Sequence, residues 1–234
     1  MSASRNGSGH DVSAWAGAAH SPQRTVIEGR YARLEPLDPA RHAADLYLVA
    51  EHPSAAELYR YLPERAPYDE AELVAWAQRA AASDDPLFFA VVDLATGRVG
   101  GRQALMRFDA THGVIEVGNI LWGPQIARTR TATEALYLAA AYAFDDLGCR
   151  RFEWKCDNRN EPSKRAAERF GFTAEGVFRN HMVVKGQNRD TAWYSMTVEE
   201  WPSISAAFGA WLDPSNFDAV GIQKKSLREV RGDW

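Results

Sequence analysis

Val114-Ile115-Glu116-Val117-Gly118-Asn119-Ile120-Leu121-Trp122, then the loop 123–131, then Ala132-Thr133-Glu134-Ala135: on this stretch the reading of the fold turns. The first nine residues are rich in β-branched and large apolar types and read as a strand. Gly123-Pro124 breaks it. From Ala132 the spacing changes to that of a helix, with Leu136, Ala139, Ala140, Ala143 and Leu147 on one face and Gly148 placed to end it. A loop that feeds a helix N-terminus offers unpaired backbone N–H groups and the positive end of the helix dipole, a setting for a phosphate or pyrophosphate. Arg128 and Arg130 add side-chain charge there, with a solvated loop capped by Thr131 or Thr133 as the plainer alternative.

Working outward, Val26-Ile27 and Tyr31 to Leu34 read as a first hairpin ending at Pro36, and helical spacing follows over 41–51 and from Asp69 through Ala80. Between those helices, Tyr59-Arg60-Tyr61-Leu62-Pro63 presents aromatic and charged groups together, as pocket-lining loops do, or forms a packed connection. Residues 87–94 and 98–108 make a hairpin around Thr96-Gly97. After the central helix come a strand over 151–157, with Phe152, Trp154 and Cys156 pointing one way, a helix over 162–170, and strands over 173–184 and 191–198. The fold class is therefore α/β, with a mixed, mostly antiparallel central sheet of about seven strands flanked by helices. Residues 1–24 read as a disordered tail, 25–200 as the domain and 201–234 as a helical extension and tail that packs on the sheet or on a second subunit, leaving a homodimer open.

Composition narrows the function. Lys+Arg 27 against Asp+Glu 31 leaves a net charge of −4, without the basic excess of a nucleic-acid binder, so any anion site must be local. The longest apolar run, 135–144, is about half of the roughly 20 residues of a membrane helix, and the mean hydropathy is −0.39. No export signal interrupts this reading of a soluble, cytoplasmic protein. Cys149 and Cys156 lack metal or redox spacing and read as buried thiols; no metal is expected. The run 97–101 has neither dinucleotide nor P-loop spacing, and no GxSxG elbow supports a hydrolase.

Four segments in order resemble the GCN5-related N-acetyltransferases (GNAT), and among them the ribosomal-protein N-terminal acetyltransferase (RimJ/RimL-like) type. They are Ile115-Glu116-Val117-Gly118 with Leu121-Trp122; Ala132 to Ala135; Asp157-Asn158-Arg159-Asn160-Glu161-Pro162-Ser163; and Arg169-Phe170-Gly171-Phe172 leading to Glu175-Gly176. The resemblance spans about 25–200. One departure stands out: the family's Gln/Arg-x-x-Gly-x-Gly/Ala loop corresponds here to 127–132, with Ala127 and Arg130 replacing the first basic residue and the glycine. The cradle then requires ordinary φ values at Arg130, and Arg128 or Arg130 to compensate for Ala127.

The resemblance implies acetyl-CoA as donor, a primary amine as acceptor (a protein N-terminal α-amine or a small molecule) and direct attack in a ternary complex. Its site residues follow position by position. Glu116 would act as base, directly or through water, or else pair with an arginine in the sheet. Backbone N–H groups around Asn119 to Leu121 would face the developing oxyanion. Ile120, Leu121, Trp122, Arg128, Thr129, Arg130, Thr131, Ala132 and Thr133 would hold the cofactor, with Asn160 on the pantetheine. The thiol-side tyrosine of many relatives is replaced by Ala167, so Ser163 takes that role, unless it only serves the first helical turn after Pro162. Tyr59, Tyr61 and His181 are the candidates for the amine side; His181 also reads as a structural histidine. The degraded loop and missing tyrosine motivate a second reading, a non-catalytic acyl-CoA-binding or partner-binding module.

Overall fold

The structure, a computed structural model, describes residues 12–232. Eight strands form one sheet: β1 (Ile27–Glu28), β2 (Ala32–Pro36), β3 (Leu87–Asp93), β4 (Arg98–Asp109), β5 (Val114–Trp122), β6 (Arg151–Asp157), β7 (Thr173–Val184) and β8 (Gln187–Thr197). Their order is β1-β2-β3-β4-β5-β6-β8-β7. Among the described residues only β5 and β6 run parallel, because the connection between them carries helix α4 (Arg130–Ala141) and must return to the starting edge. The sheet has eight strands against the expected count of about seven, and its two-residue β1 is the first arm of the hairpin read from the sequence.

Helix ends sit where the sequence places polar caps. Asp38 caps α1 (Pro39–Ala50), Asp69 caps α3 (Glu70–Ala82) and Asn160 caps α5 (Glu161–Phe170), each accepting a backbone N–H of the first turn. A one-turn helix, α2 (Ala55–Leu58), precedes the Tyr59 loop. The central helix starts two residues earlier than its apolar period, at Arg130, and its last turn widens to a π-turn over Tyr142–Asp146 before Gly148. Lys185 and Gly186, both at positive φ, form the two-residue turn between Val184 and Gln187.

Strand alternation gives the sheet two faces. On one, Phe89, Leu105, Ile115, Val117, Phe152, Trp154, Tyr194 and Met196 pack with α4 and with α6 (Trp201–Trp211) in a single core. On the other, α1 and α3 cover Phe88, Ala90, Val92 and Ala104, whereas β5, β6 and β8 carry Glu116, Glu153, Lys155, Trp193 and Ser195. The C-terminal extension belongs to the first core: Trp201, Phe208, Trp211, Phe217 and Leu227 are all buried in it, the last on α7 (Leu227–Arg231). Residues 12–24, expected within a disordered tail, also hold to the domain. Trp15 donates to Thr111 O at 2.9 Å, Ala18 N to Ala110 O at 2.8 Å and Gln23 N to the Tyr142 hydroxyl at 2.9 Å; the rest of that expected tail, 1–11, lies outside the described residues.

Candidate active site

The parallel ladder is short. It runs from Val114↔Arg151 to Val117↔Trp154 and stops, although β5 continues to Trp122 and β6 to Asp157. From Gly118 onward the two strands part, leaving a fork whose arms carry unladdered backbone polar groups. A bulge helps to open it. The β4–β5 register shifts between Arg102 and Ala104, Asn119 sits at φ 50, and the buried Arg102 donates to Asn119 O at 2.8 Å. The Arg102 guanidinium also pairs with Glu64 and lies 4.3 Å from the Trp76 ring centroid, so it ties the fork to the loop after α2.

At the wide end of the fork, the loop leads into α4. Gly123 N donates to Gly100 O at 2.8 Å, and Ile126 packs so closely on Gly100 that a Cβ there would meet its Cγ2 at 2.3 Å. This explains Gly100 as a close-approach residue that seats the loop on β4. Thr129 is the N-cap: its side chain accepts from Thr131 N at 3.2 Å and donates to Ile126 O at 2.6 Å. Thr131 and Thr133 are turned to Asp93 and to Thr129 O. Arg128 is exposed and takes the left-handed region at φ 64, the loop position where a glycine would be free of strain. Arg130, expected to keep ordinary φ, does so as the first residue of α4. Its guanidinium, however, stands over the Tyr31 ring at 4.4 Å and near Phe217 at 5.5 Å, held by the returning C-terminal segment. Arg128 is thus the loop arginine left toward solvent. Ala132 and Leu121 are buried, Ile120 and Trp122 partly so, along the same arm.

Opposite stands the start of α5. Asn160 Oδ1 accepts from Ser163 N at 3.2 Å, so the cap is Asn160 and not Ser163. The Ser163 hydroxyl accepts from Trp154 Nε1 at 2.9 Å and keeps its own proton to donate. Cys156 lies beside it; burial pushes that thiol up, against a lowering hydrogen bond from Ser163. Both cysteines are buried and reduced.

Below the fork is the charged half of the second sheet face. Glu116 is buried, opposite Met106 on β4 and Glu153 on β6. Lys155 Nζ lies 3.0 Å from Glu116 Oε2 and 2.7 Å from Glu153 Oε2, and Arg107 Nε lies 3.5 Å from the same Glu116 oxygen. These are ion-pair contacts, and Glu116 Oε2 accepts no aligned hydrogen bond. Burial pushes the Glu116 carboxyl above the usual carboxylate range; Lys155 and Arg107 pull in the opposite direction. Of the two earlier readings, base or paired carboxylate, the geometry gives a paired carboxylate, with Oε2 facing both cations. The partners are a lysine and an arginine on neighbouring strands.

The amine-side candidates differ in exposure. Tyr59 is buried among Val49, Ala50, Leu62 and Leu121, and burial raises its phenol. Tyr61 bridges to the other arm, its hydroxyl donating to Arg159 O at 3.1 Å, and Lys185 at the hairpin tip donates to Tyr59 O at 2.8 Å. His181 is exposed, 2.9 Å from Thr191 Oγ1 and edge-on to Phe178. Phe178, Arg179, Asn180, His181 and Asp190 line a concavity of about 790 Å³. Sequence reasoning missed Lys155, Arg107, Arg102 and Trp193. Only the alternation of β6, which puts Glu153 and Lys155 on the face away from Phe152 and Trp154, could have signalled two of them.

The chain matches the model of the acetyltransferase (GNAT) domain over residues 32–173. A GCN5-related N-acetyltransferase from Brucella melitensis is 52% identical, with 94% of this chain and 100% of that one covered and a TM-score of 0.92. A probable acetyltransferase of the GNAT family from Chromobacterium violaceum is 37% identical over 82% of this chain and 96% of that one, with a TM-score of 0.74. Among curated proteins, "Putative ribosomal N-acetyltransferase YdaF" of Bacillus subtilis (strain 168) is 27% identical over 65% of this chain and 76% of its own. The forked parallel pair, the capped helix beside it and these likenesses lead to one assignment: the chain belongs to the GCN5-related N-acetyltransferases and is an acyltransferase.

Proposed function

We propose that this acyltransferase moves an acetyl group from acetyl-CoA to the α-amine at the end of a peptide chain, by direct attack with both substrates bound. The observation that carries the reading is Glu116, a buried carboxylate on the last stretch of ladder before β5 and β6 part, whose pKa burial raises above the usual carboxylate range. The donor set fits an acyl-CoA. The fork accepts a slender chain between two strand arms, and the capped N-terminus of α4 with the exposed Arg128 suits a pyrophosphate. Residues 120–122, 128–133, Asn160 and Ser163 would hold the cofactor, which supplies the acetyl group as a thioester when bound.

The chain's own groups divide the remaining work. Glu116 takes the proton that an α-ammonium must lose before attack, a modest task because α-amines have pKa values of about 7.7–8.0 against about 10.4 for lysine. Backbone N–H groups of 119–121, set by the bulge and the Arg102 contact, face the carbonyl oxygen. Ser163, oriented by the Trp154 N–H, donates its proton toward the departing sulfur. Tyr61, Phe178 and His181 border the acceptor side. The exposed residues around the 790 Å³ concavity suit a chain end more than an enclosed small amine, and the name of the Bacillus subtilis relative points the same way.

The test is thiol release from acetyl-CoA in the presence of a peptide with a free α-amine, the same peptide with that amine blocked, and a panel of small amines. The reading expects release with the free peptide alone or far above the others. Stabilisation by CoA without thiol release for any amine would favour the non-catalytic module instead.

A further inference from the structure

Lys155 is an unusual neighbour for a base. It is the first residue of β6 beyond the last ladder pair, on the Glu116 face, and its side chain is 6% exposed. Three partners surround its ammonium: the Glu116 carboxylate at 3.0 Å, the Glu153 carboxylate at 2.7 Å and the Trp193 ring, whose centroid lies 3.8 Å away. Two carboxylates and an aromatic face are the surroundings that recognise an alkylammonium ion.

We infer that Lys155 is a specificity-determining residue, whose ammonium fills the seat that a second positive charge on the acceptor would otherwise take. The inference rests on the reading of Glu116 as base. The local charge supports it. Arg107 from β4 pairs with Glu116, and Glu153 from β6 and Trp193 from β8 contact Lys155; beyond them Arg151 joins Glu153 to Glu175 of β7, Ser195 of β8 bonds Glu175, and His181 of β7 lies 5.9 Å from the Trp193 ring. Glu116, Glu153 and Glu175 are balanced by Arg107, Lys155 and Arg151, so no carboxylate is left over for a cationic acceptor. An acceptor bearing one amine brings no further charge to this site, whereas one bearing a second ammonium meets a fixed like charge in a poorly solvated setting.

The test compares kcat/KM for a peptide with a free α-amine and for the same peptide carrying lysine in place of an uncharged residue next to its N-terminus. In Lys155→Met the ratio of lysine-bearing to uncharged peptide rises by about tenfold or more, and in Lys155→Arg it stays at the native value. The acid limb of the rate profile also moves to higher pH in Lys155→Met, because Glu116 and Glu153 then lie side by side without the cation between them. Lys155→Gln, whose amide can still bond one of these carboxylates, gives the same comparison if the Met variant does not fold. An unchanged ratio and an unchanged acid limb in a folded Lys155 variant would overturn the inference. If Glu116→Gln still slows the reaction in that event, the base reading survives it; if Glu116→Gln does not, the failure lies in the base reading.

Discussion

Two faces of the same three strands are built to opposite ends. On β5, β6 and β8 every second residue, Ile115, Val117, Phe152, Trp154, Tyr194 and Met196, enters the core under α4 and α6. The residues between them, Glu116, Glu153, Lys155, Trp193 and Ser195, make a charged floor beneath the fork. The same floor turns apolar toward β3 and β4, where α1 and α3 cover Phe88, Ala90, Val92 and Ala104. Helix cover, not strand composition alone, decides which side may carry charge. On β5 and β6 the buried carboxylates keep cationic partners from neighbouring strands.

If that division is right, damage to the apolar face should cost stability. Phe152→Ala removes a fully buried ring packed against Phe144 and Phe172, and should lower unfolding free energy by about 3–5 kcal/mol in denaturant titration. A smaller, mixed effect belongs where the apolar face reaches the fork. Ser163→Ala should lower kcat about a hundredfold, and cost about 1–2 kcal/mol because Trp154 Nε1 loses its acceptor. A variant that loses the stability but not the rate would make Ser163 only a partner of Trp154. The smallest effect is on the charged floor. Arg151 holds the Glu175 carboxyl below its ordinary range, so the pair stabilises the fold above about pH 4.3 and loses that contribution as pH falls through the lowered value. Arg151→Met should flatten this acid-side loss by a fraction of 1 kcal/mol, since Glu175 is more than a third exposed and water screens it.

The sequence carried these regions unequally. Local signals reached the β5 strand, the breaker at Gly123-Pro124 and the end of α5 at Phe170, because each is decided within a few residues, whereas the α5 cap fell to Asn160 and not to Ser163. The fork was legible only by family likeness, since ladder length depends on both strands. The surroundings of Glu116 were not legible, because Arg107 and Lys155 reach it from two other strands. Arg130 shows the same limit. Charge beside a helix N-terminus suggested an anion contact, but a segment 87 residues further along brings Phe217 beneath its guanidinium. Glu134, read as part of a helical opening, bonds the backbone N–H groups of Arg30, Tyr31 and Ala32 about a hundred residues away, and its carboxyl occupies the space a Cβ on Gly29 would need.

The claim at the centre of this account is that the charged floor deprotonates the acceptor through Glu116. It is met most directly by kcat/KM against pH for the native protein and for Glu116→Gln with one free α-amine peptide. The account predicts a native acid limb above the ordinary carboxylate value of about 4.3, as burial of Glu116 requires, and in Glu116→Gln the loss of that limb with a fall of about 10²–10⁴ at neutral pH. An identical limb and an undiminished rate in Glu116→Gln would contradict it.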